Sequence, residues 1–128
     1  MTINQISVFL ENRDGKLSEI LFMLSKENIR IITATVADTS EYGILRMIVS
    51  EPLVAYQILK EHSVGANLTD VIAIVTDPRA GSFATALNKF TLAGIGIQYM
   101  YCFCIDDKSI LIVRTSKSTT YIECQCLL

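Results

Sequence analysis

The hydrophobic positions at the start of the chain predict a strand followed by a helix. Residues 6–10 alternate in the manner of a half-buried strand, and a polar turn follows over residues 11–15. Beyond this turn, apolar residues recur at the i, i+3, i+4, i+7 spacing of an amphipathic helix that ends near Asn28. These apolar residues are Leu17, Ile20, Leu21 and Leu24.

The pattern then predicts a hairpin, a second helix and a further strand. Two segments rich in β-branched residues flank a turn, which is typical of a β-hairpin. Pro52 suits the first position of a helix, whose core face would be formed by Ala55, Ile58 and Leu59. The predicted first strand, turn, second strand and final strand cover residues 29–37, 38–43, 44–49 and about 67–76.

The chain repeats itself at an offset of 66 residues, in constant register over about 45 positions. Such an internal repeat indicates two copies of one structural unit. The offset aligns Gly15 with Gly81, Leu21 with Leu87, Ile29 with Ile95, Ile31 with Ile97, Ile44 with Ile110, Leu45 with Leu111, and Ser50 with Ser116. It also places Leu17, Leu24 and Asn28 on the similar residues Phe83, Phe90 and Gly94.

The second copy is therefore predicted to repeat the elements of the first. Its strand, turn, helix, strand, turn and strand cover residues 71–76, 77–81, 82–94, 95–105, 106–108 and 109–115. The residues after Thr115 are too few for another helix and a closing strand, so the second unit is expected to be incomplete at its C-terminus. We expect one domain over residues 1–70 and another over residues 71–128, with both units contributing strands to residues 64–76.

Composition and charge exclude several classes of function. The net charge is −2 and the basic residues are scattered, which argues against a nucleic-acid-binding surface. No apolar run approaches the roughly 18 residues of a membrane span, and the first residues do not resemble a signal peptide. The four cysteines all lie near the end of the chain, unlike those of a secreted disulfide scaffold, so we expect a cytoplasmic protein.

The two turns carry a resemblance to a known family. The first copy has FLENRDGKL over residues 9–17 and KENIRI over residues 26–31; the second has VTDPRAGSF over residues 75–83 and AGIGI over residues 93–97. Strand, polar turn, glycine, helix and a following "N-I-x-I" segment resemble the ACT domain. That family commonly has proline before the glycine, where this chain has Asp14 and Ala80. The resemblance implies an α+β fold of two ferredoxin-like βαββαβ units in tandem, with antiparallel sheets and helices on one face.

Such a turn is suited to binding an amino acid. Glycine allows the backbone to bend sharply and to approach a ligand closely. The first N–H groups of the following helix lack intrahelical partners and lie at the positive end of its dipole, so they can donate to an α-carboxylate. Asn12, Asp14 or Asp77 can accept hydrogen bonds from an α-ammonium group. The simpler interpretation is that Asp14 caps the helix and Gly15 only forms the turn.

The ACT resemblance implies a ligand between this turn and the start of the second strand of a neighbouring domain. The candidate ligand-binding residues of the first copy are Asn12, Arg13, Asp14, Gly15, Lys16, Leu17, Arg30, Ile31 and Ile32. Those of the second copy are Asp77, Arg79, Ala80, Gly81, Ser82, Phe83, Gly96, Ile97 and Gln98. The first copy is the first choice, because it has more polar groups at the turn.

The sequence thus predicts a non-catalytic, amino-acid-binding regulatory protein that forms a homo-oligomer, with a dimer expected. Catalytic residues, a cofactor and a metal are not expected: the single histidine, His62, lies on a charged helix face. One alternative is a dimerisation module without a ligand. Another is a thiolate metal carrier that uses two Cys-x-Cys pairs, formed by Cys102, Cys104, Cys124 and Cys126.

Overall fold

The computed structural model describes residues 1–11, 13–38 and 42–117. Over these residues, antiparallel strands and three helices confirm the predicted α+β fold. The predicted C-terminal incompleteness of the second unit, together with Cys124 and Cys126, lies outside the described residues. In chain order the elements are β1 (Thr2–Glu11), α1 (Lys16–Lys26), β2 (Ile31–Asp38), β3 (Tyr42–Val49), α2 (Pro52–Glu61), β4 (Ala66–Thr76), α3 (Ser82–Leu92), β5 (Ile97–Ile105) and β6 (Lys108–Thr115).

The structure divides into two units. The first comprises Asn4–Thr69, and the second comprises the chain from Asp70 onward together with Met1–Ile3. Backbone hydrogen bonds between Met1 and Ala73, of 2.8 and 3.2 Å, tie the first residues to the second unit. Strand β4 runs through the boundary, so one strand ends the first unit and begins the second.

The first unit packs two amphipathic helices against its strands. Within it β1 lies between β3 and the beginning of β4, and β2 pairs with the other edge of β3. Removal of these apolar side chains from water drives the packing. Its buried core consists of Ile6, Val8, Leu10, Ile20, Leu24, Ile29, Leu45, Met47, Val49, Ala55, Ile58, Leu59 and Val64.

The second unit repeats the strand register of the first at the same 66-residue offset. In the first unit Ile6 pairs with Met47 and Val8 with Leu45; in the second, the partners are Ile72 with Val113 and Ile74 with Leu111. Even the irregularity after Ile31 in β2 recurs after Ile97 in β5. The order of strands in this unit is β4-β6-β5, and α3 packs Phe90 against Ile72 and Ile95.

Strands β2 and β5 begin two residues later than their sequence patterns predicted. Ile29 and Ile95 instead close the C-termini of α1 and α3: the Ile29 N–H donates to the Leu24 carbonyl at 3.1 Å, and the Ile95 N–H to the Phe90 carbonyl at 2.9 Å. The residues before them, Asn28 and Gly94, have φ of 58° and 70°. This is the Schellman arrangement, in which a left-handed residue ends the helix and the next hydrophobic side chain packs back.

Among the described residues, no helix is both long and apolar enough to cross a membrane.

Candidate functional site

Both predicted turns have the same backbone. Gly15 has φ 84° and ψ −8°, and Gly81 has φ 87° and ψ −9°. A Cβ built on either glycine would meet no atom within 4 Å, so it is the left-handed backbone, and not a lack of space, that requires glycine. Each glycine occupies the N-cap position, and neither helix has a side-chain cap. The structure therefore contradicts the interpretation of Asp14 as the cap.

In the second turn, Asp77 organises the loop. Its Oδ1 accepts hydrogen bonds from the Arg79 backbone N–H at 3.0 Å, from Arg79 Nε at 2.9 Å and from Ser82 Oγ at 2.7 Å. Its Oδ2 accepts one from Arg79 Nη2 at 2.8 Å. The hydrogen bonds from Arg79, and then that from Ser82, hold the pKa of the Asp77 carboxyl well below its usual range. Asp77 is therefore ionised at neutral pH.

In the first turn, the arginine is held by the helix. Arg13 Nη2 donates to Glu19 Oε2 at 2.8 Å, and Arg13 Nε lies 3.6 Å from Glu11 Oε2. Lys16 Nζ lies 3.8 Å from Glu19 Oε1. The hydrogen bond from Arg13 lowers the pKa of Glu19 and raises that of Arg13. Thus a carboxylate already lies in the first turn of α1, whereas the first turn of α3 has no acidic residue.

The start of α3 offers two backbone donors. The Ser82 N–H donates to the Arg79 carbonyl at 3.2 Å, and the Thr85 N–H donates to the Gly81 carbonyl at 2.9 Å. The N–H groups of Phe83 and Ala84 have no acceptor in the described part of the chain. Such groups at a helix N-terminus are suited to an anion.

An open cavity of about 480 Å³ lies beside this turn. It is bounded by the end of β4, the turn and one face of α3, all within the second unit. Its polar lining combines the ionised Asp77 with two basic residues, Arg79 and Lys89. The lining residues are Ile74, Val75, Thr76, Asp77, Arg79, Ala80, Gly81, Ser82, Thr85, Ala86 and Lys89.

The structure brings some of the predicted site residues together and separates others. Five predicted residues of the second copy line this cavity, namely Asp77, Arg79, Ala80, Gly81 and Ser82. Phe83 follows at the helix start and is partly buried. Asn12 lies outside the described residues.

The predicted strand positions lie at the opposite end of the helix within each copy. The 11 residues of α1 separate the first turn from Arg30, Ile31 and Ile32, a length of about 16 Å. Helix α3 separates the second turn from Gly96, Ile97 and Gln98 in the same way. A ligand that contacts both groups needs a turn and a strand from different copies or chains, as the family resemblance implied.

Two of the predicted strand positions already donate their backbone N–H groups to serine side chains. The Arg30 N–H donates to Ser50 Oγ at 3.0 Å, and the Gly96 N–H donates to Ser116 Oγ at 3.1 Å. A Cβ on Gly96 would lie only 3.3 Å from Ser116 Oγ, which explains the small residue there. These bonds fasten the start of β2 and β5 to the residue after β3 and β6.

Sequence reasoning missed Thr85 and Lys89, because it considered only the turn and the strand start. Both line the cavity from α3. Their spacing from Ser82, of i+3 and i+7, places all three on one helix face, and that periodicity is a signal the sequence contains.

The cysteines of β5 form no metal site in the part of the chain that the structure describes. Cys102 and Cys104 are exposed, unpaired thiols. No group of three or more His, Cys, Asp or Glu residues able to hold a metal ion is found among the residues described. The other pair of the hypothesis, Cys124 and Cys126, lies outside them.

Comparison with protein families identifies the family to which the chain belongs. The family described as an ACT domain pair matches residues 1–125. The chain therefore belongs to this family, as the resemblance of its two turns predicted. No curated protein matches the sequence.

Solved structures agree with this assignment. A protein of Bacteroides thetaiotaomicron with a known crystal structure is 37% identical, with a TM-score of 0.89 over 96% of this chain and 85% of that one. The aspartokinase alpha and beta subunits are 14% identical, with a TM-score of 0.66 over 99% of this chain and 91% of theirs. The regulatory subunit of aspartate kinase from Thermus thermophilus is 14% identical, with a TM-score of 0.58 over 88% and 86%. The last two similarities show the shared fold.

Proposed function

We propose that this protein is a non-catalytic regulatory protein that binds an amino acid at its second turn. The observation that carries the proposal is the cavity of about 480 Å³ beside the start of α3. An ionised carboxylate, Asp77, lines this cavity, and the N–H groups of Phe83 and Ala84, which have no acceptor among the described residues, lie at the adjacent start of α3. An amino acid needs both a donor for its carboxylate and an acceptor for its ammonium group.

The proposed contacts follow from the donors and acceptors that keep hydrogen-bonding capacity among the described residues. The α-carboxylate accepts hydrogen bonds from Phe83 and Ala84 at the positive end of α3. The α-ammonium group donates to Asp77 Oδ2, which has only one donor, whereas Oδ1 already has three. Gly81 keeps the approach to these groups open, since it lacks a Cβ.

The second turn is preferred here to the first, which sequence alone favoured for Asn12 and Asp14. In the first copy, the Glu19 carboxylate lies in the first turn of α1, close to the donors an anion would need. Like charges repel a ligand carboxylate at that position. The first-copy residues stay candidates, and a comparison of the two turns decides between them.

A thermal-shift screen of the twenty amino acids tests the proposal. A ligand that binds only the folded protein stabilises it by about 2.7 kcal/mol at one hundred times its Kd. We expect at least one amino acid to raise the Tm of the wild type and of Gly15→Ala, and to do so much less for Gly81→Ala. No shift with any amino acid would refute the proposal and favour a dimerisation module without a ligand.

We also propose that the protein is a cytoplasmic homodimer. In the described part of the chain, strand β5 pairs with one other strand, β6, and it carries exposed apolar side chains such as Met100 and Ile105, which are 39% and 49% exposed. A second copy would cover such surface. Light scattering after size exclusion at micromolar concentration should give twice the mass of the chain; a monomer would contradict the proposal.

A further inference from the structure

The cavity at the second turn is lined by a positively charged residue that no carboxylate in the described part of the chain neutralises. Lys89 lines it from α3 and is exposed. The other basic residue of the cavity, Arg79, is paired with Asp77. Among the described residues, no ion pair involves Lys89.

Asp77 does not form an ion pair with Lys89 in the described part of the chain, because its carboxylate is paired with Arg79. Three donors engage its Oδ1, and the guanidinium of Arg79 engages its Oδ2. The pair Asp77 and Arg79 is neutral as a whole. The cavity is therefore lined both by the N-terminus of α3 and by a lysine, Lys89, about two turns further along the same helix.

The distance between the helix N-terminus and Lys89 suits a small dicarboxylate. Lys89 follows Ser82 by seven residues, a rise of about 10 Å along the helix. Helical side chains lean towards the N-terminus, so the long side chain of Lys89 extends back towards the turn. An amino acid bound by its α-carboxylate at Phe83 and Ala84 then directs its side chain along the same helix face, past Thr85.

We propose that Lys89 makes the site selective for an amino acid with an anionic side chain, of the class of glutamate and aspartate. This inference rests on the proposed amino-acid site. In the first copy, the residue equivalent to Lys89 is Met23, and Glu19 stands where the second copy has Thr85. Both differences make the second copy more favourable to an anion than the first.

Calorimetric titration of the full-length protein with L-glutamate, L-aspartate and their amides, L-glutamine and L-asparagine, tests this selectivity. The acids should bind the wild type roughly five- to tenfold more tightly than the amides, in the range of a partly exposed charge-assisted contact. Lys89→Met, which introduces the first copy's residue, should reduce the ratio to near one and leave the affinity for glutamine almost unchanged. Lys89→Arg should keep the preference.

Two further measurements separate selectivity from other effects. Lys60→Met, on α2 of the first unit, removes the same charge away from the cavity. It should leave the ratio of acid affinity to amide affinity as in the wild type. High salt should lower the ratio in the wild type, because it screens the ion pair. A wild type that binds the amides as tightly as the acids, or a ratio unchanged in Lys89→Met, overturns the inference while the amino-acid site stands. If none of the twenty amino acids binds, the proposed function falls with it.

Discussion

The two glycine turns share one backbone but hold their arginines in different ways. The offset of 66 residues relates Arg13 to Arg79. In the first turn Arg13 hydrogen-bonds Glu19, on the helix, and lies 3.6 Å from Glu11; in the second, Arg79 is paired with Asp77, on the turn itself. Arg13 therefore has a carboxylate partner on each side of its glycine, whereas the partner of Arg79 precedes its glycine.

This difference changes what each helix start can accept. Glu19 supplies a negative charge to the first turn of α1, where it interacts favourably with the helix dipole. The first turn of α3 has no acidic residue of its own; the carboxylate beside it, Asp77, belongs to the preceding turn and is paired with Arg79, and an open cavity borders this helix start. The comparison indicates that the repeat preserves backbone geometry, whereas the side chains around the two turns differ; under the proposed function, the second copy is the one that binds.

The largest predicted effect concerns the two turn glycines and tests whether the two copies are structurally equivalent at this position. Gly15→Ala and Gly81→Ala should each destabilise the protein by about 1–2 kcal/mol, because a side chain disfavours the left-handed backbone. Urea unfolding should show similar losses for the two variants, since their φ values differ by only a few degrees. Gly65→Ala is the control: its Cβ would make an ordinary contact of 3.7 Å with Phe9. A loss of stability in only one of the two turn variants would show that the two turns are not equivalent.

A smaller effect is expected where each copy fastens its second strand. Ser50 and Ser116 accept hydrogen bonds from the N–H groups of Arg30 and Gly96. Ser50→Ala and Ser116→Ala should each lower the free energy of unfolding by about 1 kcal/mol. Equal losses in urea unfolding would support an equivalent role in both copies. No loss in either variant would show that these bonds contribute nothing to stability.

The smallest predicted effect concerns the ion-paired carboxylates of the two turns, Asp77 and Glu19, and it depends on pH. The pKa of Asp77 is lowered in the folded protein, so its ionised form stabilises the fold above the unfolded value of about 3.9. This contribution is lost as the pH falls below that value. Asp77→Asn should therefore be less stable than the wild type at neutral pH, and the difference should shrink in acid. Exposure and solvent screening keep the effect small.

Glu19→Gln is the matched variant in the first copy. The pKa of Glu19 is also lowered, so the same sign is expected. Urea unfolding from neutral to acid pH measures both variants. A stability difference that does not vary with pH would contradict the role assigned to either ion pair.

Much of the fold was predictable, because its signals are local and occur twice. The spacing of Leu17, Ile20 and Leu24 defined α1, and the glycine at each turn marked the helix start. The predicted beginning of β2 was two residues too early, because isoleucine is a residue type that is common in strands. Its hydrogen bond to the Leu24 carbonyl makes it part of the helix cap. The backbone conformation of Asn28 decides this.

The candidate site was less predictable than the fold. The turn residues Asp77, Gly81 and Ser82 were found from sequence, because a known pattern surrounds them. The cavity was not, since it depends on how α3 lies against the end of β4. Pairing of Arg13 with Glu19, six residues away, likewise depends on side-chain directions that spacing alone does not fix.

The most direct test of the account is an NMR titration that resolves the amide groups of the two helix starts. With L-glutamate as the ligand, the amide resonances of Phe83 and Ala84 should shift as the site saturates. Those of Leu17 and Ser18, at the equivalent positions of the first copy, should stay in place and serve as the internal control. Shifts confined to Leu17 and Ser18, or no shift at either turn with any amino acid, would contradict a binding site at the second turn.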